Sequence, residues 1–237
     1  MGVGARPRTL PGPSWGGGEL DDDLVRRYPG IFAQRHLTIQ ESCMAWGFTC
    51  GDGWFGIVDA MCRVVVEHAA PTGQPVPQVA QVKEKFGSLR VYWSGAVDDF
   101  VTGASLMAEA LSKRTCELTG RPGRMTKRGG YFQTLCPEMA LELGAKPVSR
   151  GDDVQMAPLS ASALTDRYSQ IASAPVDVPE HLLDVVDAML GLLAEVGKDT
   201  SISVTEIGYT DNRLNVCVDG GGDLALGIAA CAAAVRL

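Results

Sequence analysis

The sequence is poor in histidine and in aromatic residues, with three histidines in 237 residues and 6% aromatics. Histidine is the side chain that most readily exchanges a proton near neutral pH. His36, His68 and His181 fall in three different predicted elements, and none shares a motif with a serine, cysteine or aspartate. We therefore expect a non-catalytic protein with no catalytic residues. An active site assembled from scattered residues is the alternative.

Positive charge is also in deficit. The chain has 21 Lys and Arg against 28 Asp and Glu, a net charge of −7, and a pI near 5.0. Binding to a phosphate backbone relies on clustered Lys and Arg that release counterions. We therefore do not expect nucleic acid as the main partner, and a basic macromolecule suits the overall charge better.

Long apolar runs are missing as well. No run approaches the roughly 18 residues that indicate a membrane-spanning helix. The Gly- and Pro-rich start also lacks the apolar centre of a signal peptide. These absences predict a cytoplasmic protein that makes no membrane contact.

Cysteines are present, but without the dense, even spacing of a secreted disulfide framework. We expect reduced thiols that are mostly buried as small apolar side chains. The seven are Cys43, Cys50, Cys62, Cys116, Cys136, Cys217 and Cys231.

The hydrophobic content of 46% is enough for a substantial core. Periodicity predicts an α+β fold of two small units, each with helices packed on a short antiparallel hairpin or sheet. Residues 1–20 are predicted to be a disordered tail, because Pro and Gly dominate them. The first unit takes residues 21–145, a linker takes residues 146–178, and a C-terminal αββα unit takes residues 179–237.

Local patterns predict the elements within these units. In the first unit we expect helices over residues 24–32 and 54–68, a hairpin over residues 79–93 that turns near Gly87, and a helix capped by Asp98. In the second unit we expect a helix after Pro179, two strands around residues 210–212, and a last helix capped by Asp223.

Two cysteine turns carry the most specific pattern. A structural zinc ribbon needs two pairs of soft ligands, because tetrahedral zinc takes four thiolate or imidazole donors. Here the first turn has Cys116 and Thr119, and the second has Cys136 and Met139. Threonine and methionine are poor zinc ligands, so we expect no tight zinc binding by this pair and no cofactor. Completion of the site by Cys43, Cys50 or His36 stays open.

The same region resembles a family of uncharacterised phage and prophage proteins that are usually described as containing a zinc ribbon. The resemblance covers roughly residues 21–143 and implies a zinc-ribbon-containing domain, but no activity. The matching residues are Tyr28-Pro29, Cys50-Gly51-Asp52-Gly53-Trp54, the run from Gln81 to Tyr92, Ala108-Glu109, Ser112, Cys116-Glu117, Gly120, Pro122-Gly123 and Thr134-Leu135-Cys136.

The predicted hairpin offers a candidate partner-binding patch, because arginine and aromatic side chains supply much of the energy at protein interfaces. The alternative is an ordinary solvated strand face with Lys–Glu pairs across the strands, each of which contributes little. The candidate residues are Lys83, Lys85, Phe86, Arg90, Tyr92 and Trp93.

Two hypotheses about function follow. The first is a protein-binding protein, such as an immunity protein that neutralises a toxin or an inhibitor encoded by a phage. Its partner would be a toxin, an effector or a host factor. The second is a nucleic-acid-associated regulatory protein derived from a zinc ribbon, which would use the local basic cluster of Arg121, Arg124, Lys127 and Arg128.

Overall fold

The computed structural model describes residues 18–148, 159–198 and 201–235. It confirms the α+β fold, in which helices pack on small antiparallel sheets. Most of the predicted N-terminal tail, residues 1–17, lies outside the described residues. Residues 149–158 of the predicted linker lie outside them too.

The first half of the chain contains the predicted helices and hairpin. Its first helix begins at Glu19 and ends at Arg27, so the predicted bounds of 24–32 are wrong at both ends; acids at its start and Arg26 and Arg27 at its end complement the helix dipole. Asp98 caps α3 as predicted, since its carboxylate accepts the amide of Val101. The elements are α1 (Glu19–Arg27), α2 (Phe55–Ala69), β1 (Val79–Lys85), β2 (Ser88–Trp93) and α3 (Asp99–Ser112).

A second small sheet follows α3. Its three antiparallel strands have the order β4-β3-β5, and a short helix lies between β4 and β5. We call residues 116–148 the cysteine lobe, because Cys116 and Cys136 flank the β3–β4 hairpin. The elements are β3 (Arg124–Arg128), β4 (Tyr131–Leu135), α4 (Pro137–Leu143) and β5 (Lys146–Pro147).

The C-terminal elements are α5 (Ala161–Arg167), α6 (Leu183–Val196), β6 (Ile202–Thr210), β7 (Arg213–Gly220) and α7 (Gly222–Ala234). The hairpin and both flanking helices match the prediction. The predicted Asp223 cap is wrong: α7 starts at Gly222, and Gly221 precedes it with a φ of +70°. Glycine adopts this left-handed conformation at little cost, and Asp223 falls in the first turn.

One continuous cluster of buried side chains runs from α1 to α7, so the two predicted units pack together. The two units approach closely where α3 and α7 cross at two glycines. A Cβ atom on Gly103 would lie 2.1 Å from the Leu224 carbonyl oxygen, and one on Gly227 would lie 2.0 Å from that of Phe100. The predicted unit boundaries remain a prediction, but the core crosses them.

The described part of the predicted linker packs into this core. Leu164 of α5 is fully buried, and Ala172 pairs with Val204 of β6. Asp187 of α6 is buried as well. Its carboxylate forms ion pairs with Arg114 at 2.5 Å and with Arg167 at 2.8 Å. This buried carboxylate therefore joins the end of α3 to α5 and α6.

None of the helices in the described parts of the chain is both long and apolar enough to cross a membrane.

Candidate interaction surface and cysteine cluster

Cys116 and Cys136 come together at the base of the β3–β4 hairpin. Their relative exposures are 0% and 1%, and they share a small buried cluster with Leu135. The first turn is tight, because the Cys116 amide donates to Arg121 O at 2.7 Å and the Gly120 amide donates to Cys116 O at 2.9 Å. The two cysteine turns therefore lie side by side in the fold.

The other two positions of the pattern also lie at this cluster. The hydroxyl of Thr119 is 3.7 Å from the Cys136 sulfur. Met139, in the first turn of α4, packs against the cluster of Cys116, Leu135 and Cys136. Within the described ranges, no group of three or more His, Cys, Asp or Glu side chains could hold a metal ion. The expected absence of tight zinc binding stays a prediction.

Cys116 is in an unusual electrostatic environment. Burial raises the pKa of its thiol, but hydrogen bonds from the Thr119 hydroxyl and from the amides of Cys136, Leu118 and Thr119 outweigh burial and lower the pKa overall. Donors aimed at one sulfur favour the thiolate over the thiol. This cysteine differs from Cys62 and Cys231, where burial dominates and raises the pKa.

A buried carboxylate clamps the cysteine lobe to the main body. Glu117 is 4% exposed and accepts hydrogen bonds from the Gly51 amide at 3.0 Å and from the Gln133 side chain at 2.9 Å. Burial raises the pKa of Glu117, against the effect of these two bonds. Sequence reasoning missed this residue, since nothing in its spacing distinguishes it from a surface glutamate.

The segment before α2 completes the clamp. The Gly53 amide donates to Glu117 O at 2.8 Å, and the Trp54 indole donates to Thr115 O at 2.8 Å. A Cβ atom on Gly53 would lie 2.2 Å from Cys116 O, so only glycine fits this approach. The closely spaced Gly51 and Gly53 are the sequence signal for such a close approach of two backbones.

The six predicted patch residues divide into two groups. Lys85, Phe86 and Tyr92 are exposed, and half-buried Lys83 lies with its ammonium 4.9 Å from the Tyr92 ring centre. We call these four residues the hairpin patch. The remaining two, Arg90 and Trp93, instead contact α3: Arg90 pairs with Glu109 at 2.7 Å, and the Trp93 indole donates to Ser105 at 2.9 Å.

The tip of the β1–β2 hairpin has an uncommon conformation. Phe86 and Gly87 form its two-residue turn, with φ angles of +54° and +77°. Phe86 is 67% exposed. Two positive φ angles are typical of a type I′ turn, whose first central position favours Asn, Asp or Gly. An exposed phenylalanine in this position contributes little to the core.

The cysteine lobe holds this tip in place. Thr134 of β4 donates its hydroxyl to Gly87 O at 2.7 Å. A Cβ atom on Gly87 would lie 2.4 Å from the sulfur of Met125 in β3, so the turn sits directly on the β3–β4 hairpin. The hairpin patch is therefore presented on a fixed support.

The basic cluster of the cysteine lobe is partly neutralised. Arg121 pairs with Glu138 at 3.2 Å, and Arg124 pairs with Asp184 at 3.0 Å. Lys127 lies over the Phe132 ring and is directly opposite Lys146 across the β3–β5 pair. A shallow cavity of the cysteine lobe is lined by Lys127, Arg128 and Lys146.

Two of the three histidines, His68 and His181, have ring contacts with other side chains. His68 stacks on Phe100 with ring centres 4.0 Å apart and contacts Asp98 at 3.1 Å. The other oxygen of Asp98 caps α3. His181 meets the Tyr209 ring edge-on. The expectation of a non-catalytic protein remains a prediction.

Comparisons of the chain with protein-family models, curated proteins and solved structures returned no match in any of the three. The resemblance to a phage protein family accordingly stays a prediction.

Proposed function

We propose that this chain is a non-catalytic, cytoplasmic protein that binds another protein through the hairpin patch of Lys83, Lys85, Phe86 and Tyr92. It would inhibit or neutralise its partner by covering a surface, as an immunity protein or a phage-encoded inhibitor does. The partner would be a toxin, an effector or a host factor.

The observation that carries this proposal is Phe86. A non-glycine residue in the left-handed region costs about 1–2 kcal/mol, and two thirds of this side chain remains in water. Neither the turn nor the core gains from a phenylalanine there. A contact outside the chain accounts for the residue, since strained positions cluster at ligand-contacting sites.

The surroundings of Phe86 fit an interface. Tyr92 adds a second exposed aromatic ring, and Lys83 and Lys85 lie within 6 Å of these rings. The Thr134 bond and the Met125 contact fix the turn, so little conformational entropy is lost on binding. The patch is positive although the whole chain is acidic, so the partner surface that fits it is acidic.

The test compares three immobilised baits in extracts of the native host: wild type, Phe86→Asn, and Leu226→Gln. Asparagine suits the turn, so Phe86→Asn should fold while losing the aromatic contact. Leu226 of α7 is 47% exposed, which makes its replacement a matched loss of surface apolar area. The partner is the protein retained in stoichiometric amounts by wild type and Leu226→Gln but lost with Phe86→Asn.

Binding of that partner to wild type is then measured with both components purified, and its activity is assayed with and without the chain. We expect at least a tenfold weaker affinity for Phe86→Asn, as for other aromatic anchor residues. Equal retention by all three baits would show that the hairpin patch is not the binding surface. A bound partner whose activity is unchanged would show that the chain does not inhibit it.

A second candidate function, nucleic-acid binding, is favoured by three cations of the cysteine lobe that have no ion pair within the described residues. These cations are Lys127, Arg128 and Lys146, and the lobe also carries Tyr131, which is 83% exposed at the hairpin tip. Bases stack on exposed aromatic rings, and Lys and Arg follow the backbone. Low-salt retention on single-stranded DNA or RNA, reduced by Lys127→Gln/Arg128→Gln but not by ion-paired Arg121→Gln, would favour this candidate. No retention at low salt would remove it.

A further inference from the structure

One edge of the C-terminal hairpin is open. Among the described residues, β7 pairs with β6 and with no other strand. The far edge of β6 is covered by residues 171–177, where the Val204 amide donates to Ile171 O at 2.6 Å. In the part of the chain that the structure describes, no backbone group bonds to the far edge of β7. An open strand of eight residues can pair with a further strand.

The turn of this hairpin fixes which peptide groups face the open edge. Asp211 and Asn212 form a two-residue turn, with φ angles of +51° and +62°. Such a type I′ turn makes Arg213 bond to β6, and bonded and non-bonded residues then alternate along an antiparallel strand. The peptide groups of every second residue of β7 therefore point away from β6. These residues are Leu214, Val216 and Val218.

β7 lacks the features that usually prevent pairing at a strand edge, which are proline, lysine and bulges. It contains no proline or lysine, and the bulge of this sheet lies in β6, between Val204 and Glu206. The strand is also held in position from below. Leu214 is buried, and Val216 and Val218 pack against the main core. The open edge is therefore regular and fixed.

The charges of β7 make the strand complementary to itself. Arg213 and Asp219 are exposed on the same face, and neither has an ion pair within the described residues. They lie three residues to either side of Val216. When two copies of β7 run antiparallel with their Val216 residues opposite each other, each Arg213 therefore faces Asp219 of the other copy. Opposite charges directly across two strands stabilise the pair, and like charges destabilise it.

We propose that β7 pairs with β7 of a second copy of this chain, so that two hairpins form one antiparallel sheet of four strands. The two-fold axis passes between the two Val216 residues, and the outward peptide groups of each strand bond across it. A single strand pair is a small interface, so the dimer forms reversibly with rising concentration. This inference is independent of the hairpin patch.

Sedimentation velocity of the reduced full-length chain, over a wide range of concentration, measures the association. We expect the mass to rise from one chain to two. Hydrogen exchange measured by NMR then locates the contact, because bonded amides exchange slowly. The amides of Leu214, Val216 and Val218 should exchange freely in the monomer and become protected in the dimer.

Charge reversal tests the register of the two strands. Arg213→Asp leaves two acids on each β7, and Asp219→Arg leaves two bases, so like charges face each other in either homodimer. We expect each variant alone to dimerise at least about tenfold more weakly than wild type, because two cross-strand pairs change from attraction to repulsion. An equimolar mixture of the two variants should regain the wild-type affinity, since every cross-strand pair then joins opposite charges.

The matched control is Arg26→Asp, which makes the same change of charge in α1, at a side chain that is 73% exposed. It should dimerise like wild type. Arg213 and Asp219 are about 20 Å apart along one strand, so recovery in the mixture reports a contact between chains. Circular dichroism confirms that the variants, all at exposed positions, are folded.

A chain that stays monomeric at every concentration would overturn the proposal. A dimer in which the three β7 amides stay unprotected would overturn it too, because the contact would then lie elsewhere. The same holds if the separate charge variants dimerise as tightly as wild type, or if their mixture does not associate.

Discussion

The main core and the cysteine lobe are stabilised in different ways. The core joins α1 to α7 in one apolar cluster, whereas the fully buried apolar residues of the lobe's own cluster are Cys116, Leu135 and Cys136. So small a cluster contributes little hydrophobic free energy. The lobe instead depends on hydrogen bonds to the segment before α2, chiefly those that Glu117 accepts from the Gly51 and Gly53 amides. Packing defects should therefore be global in the core and local in the lobe.

The largest effect is expected at the α3–α7 crossing. Gly227→Ala places a methyl group 2.0 Å from the Phe100 carbonyl oxygen, so the helices must separate. We expect a loss of about 3 kcal/mol in the free energy of unfolding, measured by urea denaturation. Gly208→Ala, which meets open space in β6, is the control and should stay within about 0.5 kcal/mol of wild type. Equal stabilities of the two variants would contradict a tight crossing.

The next effect is local to the cysteine lobe. Glu117→Ala leaves the Gly51 amide and the Gln133 side chain without their acceptor, at a cost of about 1–3 kcal/mol. Hydrogen exchange should show faster exchange over residues 116–148 and little change in α2, α3 and α6. A uniform loss of protection across the chain would mean that the lobe and the core unfold together.

The pH dependence of stability tests the burial of the Glu117 carboxylate. Burial raises the folded-state pKa of Glu117, so the folded chain binds this proton more tightly than the unfolded chain does. The stabilisation is complete below the ordinary glutamate pKa of 4.5 and is lost as the pH rises through the raised value. The stability of wild type relative to Glu117→Gln should therefore fall as the pH rises above that point. Parallel denaturation curves would contradict this.

The sequence predicted local elements well, because each depends on nearby residues. The periodicity of α2, the alternation of β1 and the Asp98 cap are of this kind. The cap of α7 was wrong, since Asp223 resembles a cap, while a left-handed Gly221 forms the entry. The α3–α7 crossing could not be predicted, because Gly103 and Gly227 are far apart in the sequence and no local pattern shows that their helices meet.

The candidate site was likewise predictable only where it depends on residues that are close in the sequence. The spacing placed Thr119 in one turn with Cys116 and Met139 in the other with Cys136, but it did not show that both turns share one buried cluster. Glu117 was missed, because burial of a carboxylate depends on a loop from another part of the chain. For the six predicted patch residues, residue type indicated a contact surface but not that Arg90 and Trp93 contact α3.

The smallest expected change in stability is at Phe86, and here the substitution should stabilise the chain rather than destabilise it. Phe86→Asn should raise the free energy of unfolding by about 1 kcal/mol, because asparagine tolerates a positive φ. Thermal unfolding of the purified variant measures this directly. A clear loss of stability would mean that the phenylalanine serves the fold.

Side-by-side measurement of unfolding free energy and partner retention for wild type and Phe86→Asn tests the central claim most directly. The account predicts that the variant is at least as stable as wild type and no longer retains the partner. A variant that is stable and retains the partner in full would show that the hairpin patch is not the binding surface.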